Sequence, residues 1–227
     1  MMSISGRLAA AIGLFAGAVA LVLWAVFGFI MPNTPTTDFT TAQPAGSPVN
    51  LHLQVVGAIG YGPHPTWVSY LVQTPSGAWS HSTIWKLPPH TQVNVTIDQY
   101  DSGSPLRNQL WGQIQGTQGD TATLDGQTTS VVNSYAGNGV GHTFAVPSLG
   151  IVVPLAGVDG NAKNFCNNPA PCASSSVHTA TKFSFVTPGA GNYQWQCFVP
   201  CGLSTLFGNG GPMSTIGFMG GFLDVAA

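Results

Sequence analysis

Short apolar runs that alternate with polar residues, each ended by glycine or proline, set the tightest limit on what this chain can become. Leu51, Leu53 and Val55 alternate with Asn50, His52 and Gln54; Val93, Val95 and Ile97 alternate with Gln92, Asn94 and Thr96. Successive side chains of a strand point to opposite faces, so a period of two makes one face apolar and leaves the other wet. Phe183 and Phe185, then Tyr193, Trp195 and Cys197, repeat the pattern on either side of the turn-forming run Pro188-Gly189-Ala190-Gly191-Asn192. No amphipathic helical period appears beyond residue 30. The pattern predicts an all-β fold, an antiparallel sandwich or barrel.

The N-terminus follows a different rule. Leu8 to Ile30 is a run of 23 uncharged, mostly apolar residues, enough to cross a hydrocarbon core of about 30 Å as a helix. A cleaved signal peptide is the alternative, because Arg7 provides a short positive n-region. The run exceeds a typical h-region, however, and Met31-Pro32-Asn33-Thr34 is a poor cleavage site. Arg7 is the sole basic residue beside the span and the next is Lys86, so the positive-inside rule puts residues 1–7 in the cytoplasm and the rest outside. The expectation is a single-pass protein of the cell membrane, with a transmembrane helix over 8–30. A Pro/Thr-rich linker over 31–49 would lead to an extracytoplasmic domain over 50–227. A polar segment near 103–140 reads as an insertion of loops and one hairpin.

Beyond residue 30, four Lys/Arg face seven Asp. No basic stripe exists to neutralise phosphates, which excludes nucleic acid as a partner. Charged residues make up 5% of the chain and Glu is absent. A surface of Ser, Thr, Asn, Gln and Gly stays soluble when carboxylates are protonated, which suits an acidic external medium.

The four cysteines divide into two pairs. Cys166 and Cys172 flank the tight loop Asn167-Asn168-Pro169-Ala170-Pro171, and an oxidising compartment predicts a disulfide there. Cys197 and Cys201 lie at the mouth of an aromatic strand. His142 stands on a second segment able to reach the same pocket, and the chain returns through Met219. Imidazole, thiolates and a thioether form a copper ligand set. A bridge between Cys197 and Cys201 is the alternative, and it would abolish the thiolates; Tyr193, Trp195, Phe198, Phe207 and Phe218 would then be ordinary core aromatics. Met213 competes with Met219 for the thioether role. His52, His64, His81, His90 and His178 read as surface histidines, and Asp98 and Asp101 as strand-end and turn residues. With no nucleophile elbow, phosphate loop or paired carboxylates, an electron-transfer protein or oxidoreductase subunit is expected rather than an independent enzyme.

The segment His142-Thr143-Phe144-Ala145-Val146-Pro147-Ser148-Leu149-Gly150 resembles the His-Ser-Phe/Trp-x-Val-Pro-Ser-Leu-Gly segment of cytochrome c oxidase subunit II. Gln196-Cys197-Phe198-Val199-Pro200-Cys201-Gly202 is similar to that family's Gln-Cys-x-x-x-Cys-Gly, and Phe218-Met219 with Leu223 and Val225 to its closing segment. The resemblance runs from about Pro88 to Val225 with the insertion set aside. It implies a cupredoxin-like Greek-key β-sandwich on a single N-terminal transmembrane helix. The metal ligands it implies are His142, Cys197, Cys201 and Met219, with the Val199 carbonyl as a further donor. The family's second histidine falls on Thr205 and Ile216 here, and Gly-rich sequence from Phe207 to Pro212 lengthens the ligand loop, so the remaining set suits a single copper. The implied function is a membrane-anchored, extracytoplasmic copper protein carrying single electrons. Its partner would be a small electron carrier or a haem-copper oxidase subunit. A copper-free structural or docking subunit of a respiratory oxidase, and a Cu(I) delivery protein, are the alternatives.

Overall fold

The computed structural model describes residues 4–25, 34–41, 46–202 and 211–226, in two compact units divided between Asn33 and Thr34. The first carries helix α1 (Ile4–Ala25), whose 22 residues extend about 33 Å at the usual helical rise. Its segment Leu8–Ala25 has a mean hydropathy of 2.3, and Leu14, Phe15, Leu21 and Trp24 stand exposed along it. A helix apolar all round lacks the polar face that water requires; this one is long and apolar enough to cross a membrane and is compatible with a single-pass anchor. Residues 26–30 of the expected span lie outside the described residues.

The second unit is a two-sheet β-sandwich. Its strands are β1 (Thr36–Asp38), β2 (Val49–Val56), β3 (Ser69–Gln73), β4 (Trp79–Ser80), β5 (Ile84–Leu87), β6 (Gln92–Gln99), β7 (Ala122–Leu124), β8 (Gln127–Thr129), β9 (Val140–Val146), β10 (Ile151–Ala156), β11 (Thr179–Val186), β12 (Gly191–Gln196) and β13 (Gly220–Val225). One sheet has the order β1-β5-β13-β12-β9-β10 and the other β4-β3-β2-β6-β11-β7-β8. Alternation does what the sequence predicts in β6 and β11, where Val93, Val95, Ile97, Phe183 and Phe185 point into the core. In β2 it lapses at Gln54, a buried amide that stays satisfied by clasping the Cys172 backbone: Gln54 Nε2 donates to the carbonyl at 3.1 Å, and the Cys172 N–H donates to Oε1 at 3.0 Å.

Between the sheets, Trp85 and Trp195 stack at 4.8 Å, with Tyr70 edge-on to Trp195 at 4.8 Å and Phe144 5.7 Å away. Such pairs contribute about 0.5–1.5 kcal/mol each beyond the area they bury. Both indole N–H groups are satisfied, Trp85 donating to the Ser82 carbonyl and Trp195 to that of Thr83.

Two expectations need correction. The sheets are mixed rather than antiparallel, since β1/β5, β5/β13 and β2/β6 are parallel pairs; a period of two reports which face is buried and is silent on a partner's direction. The linker read over 31–49 also holds structure. Thr36–Asp38 pairs with β5, Phe39 is 4% exposed, and Asp38 lies 3.7 Å from the Lys86 ammonium. Three residues suffice to extend a sheet edge, too few to reveal a period. The segment 103–140 contains the β7–β8 hairpin, attached to β11, and single bridges from Ser104 to Val140 and Gln115 to Val152.

Candidate metal centre

Strand β9 is buried along its whole length, and it carries His142 and Thr143 into the interior beside the end of β12, where Gln196 pairs with Ala145. Cys197 follows directly. Its N–H donates to the Met219 carbonyl at 2.9 Å, and its sulfur accepts the Thr143 N–H at 3.4 Å. The Phe198 N–H then donates to Thr143 Oγ1 at 2.8 Å. One residue of β9 thus holds the sulfur and the start of the loop that leads to Cys201.

That loop closes a cluster. The ligand atoms of His142, Cys197 and Cys201 all lie within 4.8 Å of one another, and all three residues are buried. His142 Nδ1 is 3.8 Å from Cys197 Sγ, and the Val199 carbonyl oxygen is 3.4 Å from the same sulfur. Cys197 and Cys201 are free, whereas Cys166 and Cys172 form the disulfide expected of them. A cavity of about 250 Å³ lies over the cluster, lined by Asp101, His142, Val199, Cys201 and Gly202 among others.

Asp101 completes the arrangement. Its Oδ2 lies 2.9 Å from His142 Nε2, so Nε2 donates to the carboxylate and Nδ1 is the ring nitrogen turned toward the sulfurs. Asp101 also serves the turn role read from the sequence, Oδ1 accepting the Ser102 N–H at 2.8 Å. The contact to His142 spans 41 positions and carries no local signal, which is why sequence reasoning missed it; Thr143 was missed for the same reason.

Electrostatics follow from these contacts. Burial opposes a charged ring at His142, but the hydrogen bonds to Asp101 and Cys197 and their negative charge outweigh it and raise the pKa to about 9. Burial likewise opposes a thiolate at Cys197, yet hydrogen bonds from Cys201 and His142, with the imidazolium charge, hold this thiol well below its ordinary range. Cys201 is pushed up, first by its hydrogen bond to Cys197 and then by burial. The pair therefore shares one negative charge in an apolar setting. A soft cation bound there would displace the proton on Nδ1 and take both sulfurs and that nitrogen as ligands, so the donor set fits copper.

Of the four residues predicted from sequence, the structure brings His142, Cys197 and Cys201 together. Met219 is fully buried at the head of β13, tied through its carbonyl to Cys197, while Met213 is half-buried against the same core. Ile216, one of the two positions lacking histidine, is half-buried and bridges to Gly220; Thr205, the other, lies outside the described residues. Among the described residues no second imidazole joins the cluster.

The remaining histidines stay outside the cluster, and three that are partly exposed make specific contacts. His52 bonds Asp98 at 2.8 Å, and His81 bonds Ser69 Oγ at 2.8 Å, with burial lowering its pKa. His64 stacks on Trp67 at 3.8 Å.

No protein-family model matches the chain, and no curated protein matches it. Among solved structures it is similar to rusticyanin, a copper protein, with 15% identity over 84% of this chain and 82% of that one and a TM-score of 0.36. Rusticyanin from Thiobacillus ferrooxidans gives 18% identity, coverage of 84% and 82%, and a TM-score of 0.34. A methionine-to-leucine variant of rusticyanin gives 14%, 86% and 84%, and 0.37.

Proposed function

We propose that this chain is a membrane-anchored, extracytoplasmic copper protein of cupredoxin type that carries single electrons, in the manner of the copper domain of oxidase subunit II. The observation that carries the proposal is the convergence of His142 Nδ1 with two unbonded, buried sulfurs, the imidazole being aimed by Asp101.

Copper held by His142, Cys197 and Cys201, with Met219 as thioether ligand, would supply a one-electron couple. The protein's part is to fix the donors and exclude water. Thr143 donates to the Cys197 sulfur and Asp101 bonds the far nitrogen of His142, so the donor geometry needs little rearrangement when the charge of the site changes. With copper bound, the Cys197 and Cys201 thiolates would provide covalent electronic coupling, and Met219 would tune the potential. Partners on this reading are a small electron carrier and a haem-copper oxidase subunit, and the N-terminus lies in the cytoplasm.

Titration of the reduced full-length chain with copper tests the proposal. The expected result is about one copper per chain, an intense visible thiolate band, and reversible oxidation and reduction. Preference for zinc, or the absence of the band, overturns it. Tight binding without redox cycling would favour Cu(I) delivery, for which the buried two-sulfur, one-imidazole set is the supporting observation. Failure to bind copper would favour a docking subunit, for which the support is the absence of histidine at Thr205 and Ile216.

A further inference from the structure

The polar segment 103–140 lays an aromatic ring on the loop that joins the two sulfurs. Trp111, on the short 3-10 turn Gln109–Gly112, stacks on Phe198 with ring centroids 5.6 Å apart and planes inclined by 15°. Phe198 directly follows Cys197, and only Phe198, Val199 and Pro200 separate the cysteines. From inside, the loop is held by the Cys197 N–H to Met219 and the Phe198 N–H to Thr143. Trp111 and Phe198 are each half-buried, so their stack bears on the loop from its outer side.

Trp111 is itself held firmly. The Asn108 side chain accepts the Leu110 N–H at 3.1 Å and starts the turn. The Val132 N–H donates to the Gly112 carbonyl at 2.7 Å, and the Ile114 N–H to Ser130 at 2.9 Å. A Cβ on Gly112 would fall 2.6 Å from the Val132 carbonyl oxygen; the two backbones pack too closely there for any side chain.

We propose that Trp111 is a positioning residue for the paired sulfurs: by stacking on Phe198 it holds the Cys197–Cys201 loop in the form that keeps the sulfurs unbonded and turned toward His142. The proposal rests on reading these residues as a metal centre. Cysteines this close in sequence form a disulfide when the loop relaxes enough to bring the sulfurs to about 2 Å, two thiols then giving up two electrons and two protons to an oxidant. Pinning the loop from both sides opposes that movement and keeps the donor pair reduced and spaced for an ion.

The test uses the full chain in detergent, metal-stripped and reduced, with diamide as oxidant, following the loss of the Cys197 and Cys201 thiols by alkylation and mass spectrometry. Trp111→Ala is expected to speed thiol loss about five- to tenfold, the rate equivalent of one aromatic pair. Trp111→Phe should keep the original rate, and Gly112→Ala, which displaces the turn without touching Phe198, should reproduce the faster one. Phe198→Leu reports the same contact from the other side if Trp111→Ala fails to fold, and adding Trp111→Phe to it should then change nothing further. Equal rates in Trp111→Ala and the original chain, or no rescue by phenylalanine, overturns the proposal. If copper fails to bind while thiol loss still depends on Trp111, the functional reading falls and this one stands; if copper binds and thiol loss ignores Trp111, the reverse holds.

Discussion

Asp101 and His142, 41 positions apart, meet at 2.9 Å through the ring nitrogen that points away from the sulfurs. The carboxylate holds the proton on Nε2, so Nδ1 is the nitrogen that faces Cys197 and Cys201 and gives up its proton when a metal binds.

Replacing Asp101 should therefore act on metal retention more than on folding. Asp101→Ala is expected to weaken copper binding by about 10- to 100-fold, the usual cost of removing the partner behind a histidine ligand, in competition against a Cu(I) chelator. Asp101→Asn, whose one amide oxygen can still accept from Nε2 though no longer also from the Ser102 N–H, should lose less. Equal affinity in all three proteins would remove Asp101 from the site.

Met219 and Met213 can be separated by their reduction potentials. Met219→Leu nearly conserves volume in a fully buried position and should cost less than about 1.5 kcal/mol of stability. On the proposed ligand set, the copper potential should nonetheless shift, because a thioether donor would be lost. Met213→Leu should leave the potential unchanged, and the opposite pattern would assign the thioether role to Met213.

His52 and Asp98 provide a pH-dependent contribution to stability that is independent of the metal. The hydrogen bond to Asp98 leads the causes that raise the His52 pKa above 6.5, against the opposing effect of burial. A folded value above the unfolded one means the contribution is complete below 6.5 and is lost as pH rises through the raised folded value. Urea unfolding should find His52→Gln more destabilising at about pH 5.5 than at about pH 9, with the difference shrinking in salt because the ring is partly exposed. A pH-independent loss would contradict the pairing.

Fold and site were unequally legible in the sequence. Strands with one wet face announce themselves, as Val93, Val95 and Ile97 do. Strand β9 does not, because a strand buried on both faces shows no period of two. Strand β1 escaped because Thr36, Thr37 and Asp38 look like linker until β5 pairs with them. Cys197 and Cys201 were legible because short spacing and a neighbouring aromatic strand mark them locally. Asp101, Thr143 and Trp111 reach the sulfur loop through pairings distant in sequence, which leave no local pattern in the chain.

X-ray absorption at the copper edge, on the copper-loaded full-length chain and on Cys197→Ser, probes the ligand set most directly. The account predicts two short sulfur scatterers and one imidazole around the metal, with one sulfur gone in the variant. A shell of oxygen and nitrogen alone, or a spectrum the substitution leaves unchanged, would contradict it.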